Sequence, residues 1–219
     1  MKKFLAIMLA LALLAGVACS APATQPDTGL EPEITEAPTE ITAEPEPDPT
    51  EEPTPEPEPT PMPDMEVTSA SITDGALGLA YGDKGEQFID SWIPSLSPQL
   101  TVNYIPEGTK SLALTMIDPD GGYWVHWLVC NMVVEETGYK LPENASIDMA
   151  ESFVQGKNDF GPIGYGGPTP PSGVHNYIFT VYALSDTLPL ENGFTLPQLQ
   201  AAMVELILAE AVITGTYSR

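Results

Sequence analysis

Four side chains of the 219-residue chain, two acids and two imidazoles, combine types that bind acids or move protons with positions beside expected loops, and they fall in three short stretches. Asp118 and Asp120 flank Pro119. His126 lies within Trp124-Val125-His126-Trp127-Leu128-Val129-Cys130, and His175 follows a long Gly/Pro-rich stretch. These are the two histidines of the chain. An imidazole beside a carboxylate can hold an acidic group by hydrogen bonds or exchange a proton with it. Each residue also has an ordinary reading. An Asp before Gly121-Gly122 caps turns, and a histidine in an apolar strand is often a satisfied core residue. Both acids and both imidazoles stand beside loops at strand ends, however, and that coincidence points to a shared pocket.

The elements that must position them are strands. Leu112, Leu114 and Met116 alternate with Ser111, Ala113 and Thr115, so 111–117 reads as a half-buried strand. Asp118 continues the parity of the apolar set, which directs its carboxylate toward the buried side, where it needs a partner. Trp124 to Met132 is apolar nearly throughout and suits a central strand covered on both faces. Strict alternation puts His126 on the face of Leu128 and Cys130, opposite Trp127 and Val129. Tyr177 to Leu184 is rich in β-branched and aromatic residues, and His175 shares a face with Tyr177, Phe179 and Val181. Leu100 to Tyr104 and Ala209 to Tyr217 are further strands. One helix is expected after Thr195, with Gln198 completing a capping box, Pro197 in the first turn, and an apolar stripe of Leu196, Leu199, Met203, Leu206 and Ile207. Many strands and one or two short helices imply a mainly antiparallel β-sandwich.

Residues 155–174 fit neither period; they hold six Gly and four Pro. So long a loop in a compact domain is usually functional. It is not a dinucleotide loop, because Gly164-x-Gly166 runs into Pro-rich chain and not into a helix. It could instead present backbone N–H groups to an anion.

Composition excludes other chemistries. With 31 acidic and 7 basic residues the formal charge is −24, which argues against a nucleic-acid partner. Two cysteines make neither a disulfide framework nor a Cys-rich zinc site, and there is no His-Glu-x-x-His pair or Gly-x-Ser-x-Gly elbow. No cofactor or metal is expected.

The charge is unevenly spread. Residues 1–19 read as an export signal, with Lys2 and Lys3 before an apolar run from Phe4 to Leu14 that is too short to span a bilayer. Ala15-Gly16-Val17-Ala18-Cys19 resembles a bacterial lipoprotein signal, in which Cys19 would be lipidated, although Gly16 stands where Leu is usual; ordinary secretion after Ala18 is the alternative. Residues 20–65 hold 13 Pro, 13 acids and no Lys or Arg. With no apolar stripe to bury, this stretch reads as a disordered, extended linker reaching about 140 Å at ~3.1 Å per residue. Residues 66–219 read as one folded domain, which still carries 18 acids against five bases.

Several stretches together resemble the phosphatidylethanolamine-binding protein family, also called the Raf kinase inhibitor protein family, in its bacterial branch. They are Asp118-Pro119-Asp120; Trp124-x-His126-Trp127-Leu128-Val129-x-Asn131; Asn158-Asp159-Phe160-Gly161; and Gly164-Tyr165-Gly166-Gly167-Pro168-x-Pro170-Pro171-x-Gly173-x-His175-x-Tyr177-x-Phe179. The resemblance runs in order over roughly 70–217. It implies a sandwich of one large and one small sheet with a small anion pocket at one end. It carries ligand binding onto Asp118, Asp120, His126, Gly167, Pro168, His175 and Tyr177. Members bind phosphate-like or carboxylate groups, and some inhibit kinases or serine proteases.

The chain departs from the family pattern in places. Gly121-Gly122 replace Ala-Pro, Asn176 replaces a common Arg, Thr169 stands for a Cys, and Glu205-Leu206 replaces Gly-His. The expected function is a membrane-tethered extracytoplasmic binding module. Its ligand would be a small anion: phosphate, a phosphoethanolamine-like group or a carboxylate. The alternatives are an inhibitor of a protein partner such as a protease, and a weak His/Asp hydrolase.

Overall fold

The computed structural model describes residues 63–134 and 138–219. The export signal with Cys19, and the linker as far as residue 62, lie outside the described residues. In chain order the strands are β1 (Glu66–Thr68), β2 (Ile72–Thr73), β3 (Ala76–Leu77), β4 (Phe88–Ile89), β5 (Ile93–Pro94), β6 (Leu100–Asn103), β7 (Ser111–Asp118), β8 (Trp124–Val133), β9 (Tyr139–Leu141), β10 (Val154–Gln155), β11 (Val174–Leu184) and β12 (Ile207–Ser218). Two helices, α1 (Ala145–Asp148) and α2 (Leu196–Met203), interrupt them.

The strands form a large sheet in the order β10-β8-β7-β11-β12-β3-β2, a small sheet β1-β6-β9, and the hairpin β4-β5. Pairing is antiparallel except between β12 and β3, which meet in parallel at Thr216 and Ala76. This is the mainly β sandwich of large and small sheets that the alternating pattern and the family resemblance implied.

The main core lies between the two sheets. Leu112, Leu114 and Met116 of β7 meet Trp127 and Val129 of β8, Phe179 and Val181 of β11, and Val67, Leu100 and Val102 of the small sheet. The opposite face of the large sheet carries a second cluster, in which Ala113, Leu128 and Cys130 pack under Leu188, Phe194, Leu199 and Met203. The central strands are therefore covered on both sides, and each buried aliphatic side chain contributes about 1.5–3 kcal/mol.

Helix α2 begins where expected, with the Thr195 N–H donating to Gln198 Oε1 at 2.9 Å. It ends earlier than its apolar stripe suggested. Leu206 N–H closes a turn onto Met203 O, and Ile207 opens β12 opposite Leu184. The β-branched side chain there gains more from the strand ladder than from a further helical turn.

Candidate functional site

Antiparallel order brings the candidate residues together. β7 ends at Asp118 where its two neighbours begin, β8 at Trp124 and β11 at Val174. Asp118, His126, His175 and Tyr177 therefore share one end of the large sheet, and with Asp120 they line a cleft of about 610 Å³. Trp124 and Phe160 supply aromatic walls, while Gly121 and the Thr169–Ser172 segment complete the rim.

His126 reaches this cleft through a bulge. Met116 pairs with Trp127, but the next β7 residue, Ile117, pairs with Val125, so β8 carries one extra residue at His126. Val125 and Leu128 both join the cluster under α2, whereas His126 packs edge-to-face on Tyr177, with centroids 5.1 Å apart. This corrects the strict alternation, which put His126 on the face of Leu128 and Cys130 and opposite Trp127. The bulge moves the imidazole to the Trp127 side. A second edge-to-face contact, with Phe160 at 5.5 Å, closes it in.

The ring is locked twice onto Gly166. Gly166 N–H donates to His126 O at 2.9 Å, and His126 Nδ1–H donates to Gly166 O at 2.5 Å. A carbonyl can only accept, so Nδ1 carries a proton. Burial lowers the imidazole pKa to about 4, against a smaller upward pull from the Gly166 contact. The ring is therefore neutral at pH 7, and Nε2 is its acceptor. His126 does not titrate near neutrality, where an unperturbed histidine would.

Asp118 is buried and serves two partners. Its Oδ1 accepts the Gly121 N–H at 2.8 Å, and its Oδ2 lies 2.7 Å from His175 Nδ1. The turn-capping reading and the imidazole-orienting reading are both realised, one on each oxygen. Gly121 matters here, because a Cβ at that position would lie 2.7 Å from Asp118 Oδ2. Asp120 is exposed, and its Oδ2 accepts from both the backbone N–H and the side-chain amide of Asn176, at 2.8 and 2.9 Å. Those two donors, the backbone one first, hold its carboxyl below the usual range.

Tyr177 is fully buried as a residue and lines the cleft, yet its hydroxyl has no hydrogen-bond partner among the described residues. It is the one such buried side-chain polar atom among them. Burial first, then the Asp118 carboxylate, pushes the phenol well above its ordinary pKa, so it keeps its proton.

Gly167 and Pro168 do not line the cleft. They are buried behind it, where Gly167 N–H donates to Pro94 O and Pro168 O accepts from Asp83 N–H. A Cβ on Gly167 would come within 2.1 Å of Tyr81 O, so only glycine allows this approach. The loop's N–H groups are likewise committed within the protein. Gly164 donates to Gly156 O, Tyr165 to Ser146 Oγ and Gly166 to His126 O. The expected anion-cradling N–H row is therefore absent from 164–167, because the segment is buried and its donors must be satisfied internally.

Sequence reasoning missed Gly166 as the residue that orients His126. It also missed Phe160, which contacts Trp92, Trp124 and His126 edge-to-face. The only signal was the position of each inside a matched motif. Among the described residues, no group of three or more His, Cys, Asp or Glu is placed to hold a metal ion.

A two-sheet β-sandwich with a polar cleft at the mouth of its central strands defines a class of small β domains with a cleft at one end of the large sheet. The chain belongs to the phosphatidylethanolamine-binding protein family, whose model matches residues 68–218. It is 40% identical to a UPF0098 protein of Methanothermobacter thermautotrophicus over 150 residues, which cover 64% of this chain and 95% of the relative. It is also 40% identical to a UPF0098 protein of Aquifex aeolicus over 161 residues, which cover 71% of this chain and 89% of the relative. Among solved structures it is similar to Escherichia coli YbcL, described as a new member of the mammalian PEBP family. There the identity is 34% and the TM-score 0.61, over 72% of this chain and 99% of the other. A PEBP homologue from Chlamydia trachomatis matches with 35% identity and a TM-score of 0.60, over 71% and 98% of the two chains.

Proposed function

We propose that the chain is an exported binding module, tethered to the membrane through a lipidated Cys19, whose cleft holds a small phosphate- or carboxylate-bearing ligand. The observation that supports this most is the Tyr177 hydroxyl. It is a buried, protonated donor with no acceptor among the described residues, in the same cleft as His126. Leaving such a group unsatisfied costs about 1–3 kcal/mol, which a bound acceptor would recover.

Tyr177 and His126 offer an acid one donor and one acceptor. An anionic oxygen accepts from Tyr177 O–H, and a protonated oxygen of the same group donates to His126 Nε2. His175, oriented by Asp118, faces the same space. A hydrogen phosphate supplies both oxygens, and a protonated carboxyl group supplies a neutral carbonyl oxygen in place of the anionic one. Such short contacts act at touching distance, whereas the domain's negative charge acts at range and is screened beyond about 8 Å at physiological salt.

Titration calorimetry of the full chain with inorganic phosphate and with phosphoethanolamine tests the reading. Binding is expected, and His126→Ala abolishes it while the thermal transition stays cooperative. Unchanged binding in that variant overturns the reading. Incorporation of labelled palmitate in cells, lost in Cys19→Ala, tests the anchor.

A further inference from the structure

Asn158, Asp159 and Phe160 are consecutive, and all three bear on the placing of His126. They lie in the segment that follows β10 and runs beside β8 as a further strand would. Three carbonyls of β8 accept from that segment. Gly156 N–H donates to Leu128 O, Gly166 N–H to His126 O and Asp159 N–H to Val125 O, each at 2.9 Å. Val125 and His126 are neighbours in sequence. In a regular strand consecutive carbonyls face opposite sides, so one of these two would face β7. Both face the segment because β8 bulges at His126.

Asp159 closes the bulge at its outer end. Besides the N–H bond to Val125 O, its carboxylate Oδ2 accepts the Val125 N–H at 2.7 Å. Val125 is the residue at which pairing with β7 resumes beyond the extra residue, and both of its backbone groups are held by one residue 34 positions away. Asp159 is exposed. Such an acid is ordinarily left to water; here it turns back onto a strand amide. Its neighbours fix the segment around it. Asn158 Nδ2 donates to Gly164 O at 2.9 Å and its Oδ1 accepts from Gly161 N–H at 3.1 Å, which closes the loop that leads to Gly166. Phe160 packs edge-to-face on the imidazole itself.

We infer that Asp159 is a positioning residue for His126: its carboxylate holds the Val125 amide so that β8 keeps the bulge that turns the imidazole into the cleft. The alternative it excludes is a straight strand. Without the extra residue, alternation returns His126 to the face of Leu128 and Cys130, away from Tyr177. Removing the carboxylate strips the Val125 N–H of its acceptor, and with it the charge-assisted hydrogen bond that favours the bulged register. The inference rests on the reading above only for what the ring does to a ligand. Where the ring sits is a property of the free protein.

The test is NMR on the full chain without ligand at pH 7, with 15N in the histidine rings. Ring shifts report which nitrogen carries the proton, and the wild-type chain should show His126 protonated at Nδ1 and in contact with the Tyr177 ring. Asp159→Ala should give a second set of His126 signals that lacks both features, while the thermal transition stays cooperative. Asp159→Asn, which keeps an acceptor oxygen, should restore the single set. An unchanged single set in Asp159→Ala overturns the inference. Should that variant fail to fold, hydrogen exchange of the Val125 amide decides. Exchange about tenfold faster in Asp159→Asn than in wild type, because a neutral acceptor holds the amide less well, supports the inference, and equal rates overturn it. Titration with inorganic phosphate separates the two readings. If the wild-type chain binds no phosphate while Asp159→Ala displaces the ring, the acid reading falls and the role of Asp159 stands. If phosphate binds and the ring of Asp159→Ala keeps its place, the acid reading stands and this inference falls.

Discussion

His175 Nδ1 and Asp118 Oδ2 lie 2.7 Å apart, although 57 residues separate them along the chain. The same carboxylate caps the turn at Gly121 through Oδ1, so one buried acid ties the end of β7, the following turn and the start of β11 into a unit. Asp118→Asn keeps one acceptor oxygen and turns an amide toward the imidazole. The expected loss is about 1–3 kcal/mol of stability, the usual result of mispairing a buried polar group, read from urea denaturation. Phosphate affinity should fall with it, because the His175 ring is no longer oriented.

The neutral state of His126 has a pH signature. Its pKa is about 4 in the folded chain, against 6.5 ordinarily, because burial disfavours the imidazolium. Between those values the unfolded chain binds a proton that the folded chain refuses. Stability from this residue is therefore intact above about pH 6.5 and falls as pH drops toward 4, by about 3 kcal/mol in all. Denaturation curves at pH 7 and pH 4.5 should show this decline, and it should flatten in His126→Gln. An NMR titration in which the His126 ring protonates near pH 6.5 would contradict the assignment.

Gly167 offers a contrast between lining a cleft and supporting one. Gly167→Ala places a methyl about where Tyr81 O lies. It should destabilise the fold by more than about 2 kcal/mol, because the methyl overlaps packed backbone that must shift to admit it. Ser172→Ala, on the exposed rim of the same loop, should change stability by less than about 0.5 kcal/mol. Thermal midpoints of the two variants give the comparison. A well-folded Gly167→Ala protein would mean that the Tyr81 segment moves freely.

Cys130 should be chemically silent. It is buried in the cluster under α2, and burial alone pushes its thiol up to about 12. Thiolate, not thiol, is the reactive form, so labelling of Cys130 by a disulfide reagent at pH 8 should require unfolding. Peptide mapping before and after denaturant distinguishes this residue from Cys19.

Much of the site was legible because it depends on local pattern. The parity of Leu112, Leu114 and Met116 carries through to Asp118, and that carboxylate is indeed buried. The parity of Tyr177, Phe179 and Val181 likewise carries back to His175, which meets Asp118 on the cleft side. The failures have a common origin in pairing between distant segments. His126 obeys the register of β8 against β7, and a single inserted residue there reverses its face. The composition of the Gly/Pro loop suggests free N–H groups, but the donors of 164–167 go to Gly156, Ser146, His126 and Pro94.

By itself, then, the amino-acid order determined the strand-rich class, the cap of α2, the family, and which polar residues stand at strand ends. The family follows from the motifs the chain shares with it, and the rest from side-chain periodicity and from turn and capping chemistry, which act over a few residues. Only the tertiary structure decided that His126 is turned inward and kept neutral. It also decided that Gly167 and Pro168 brace the cleft from behind, and that Tyr177 and Asp120 are left with unused hydrogen-bonding capacity. Those outcomes depend on which distant groups come within about 3 Å of one another. That is a property of strand register and close packing, which no local pattern encodes.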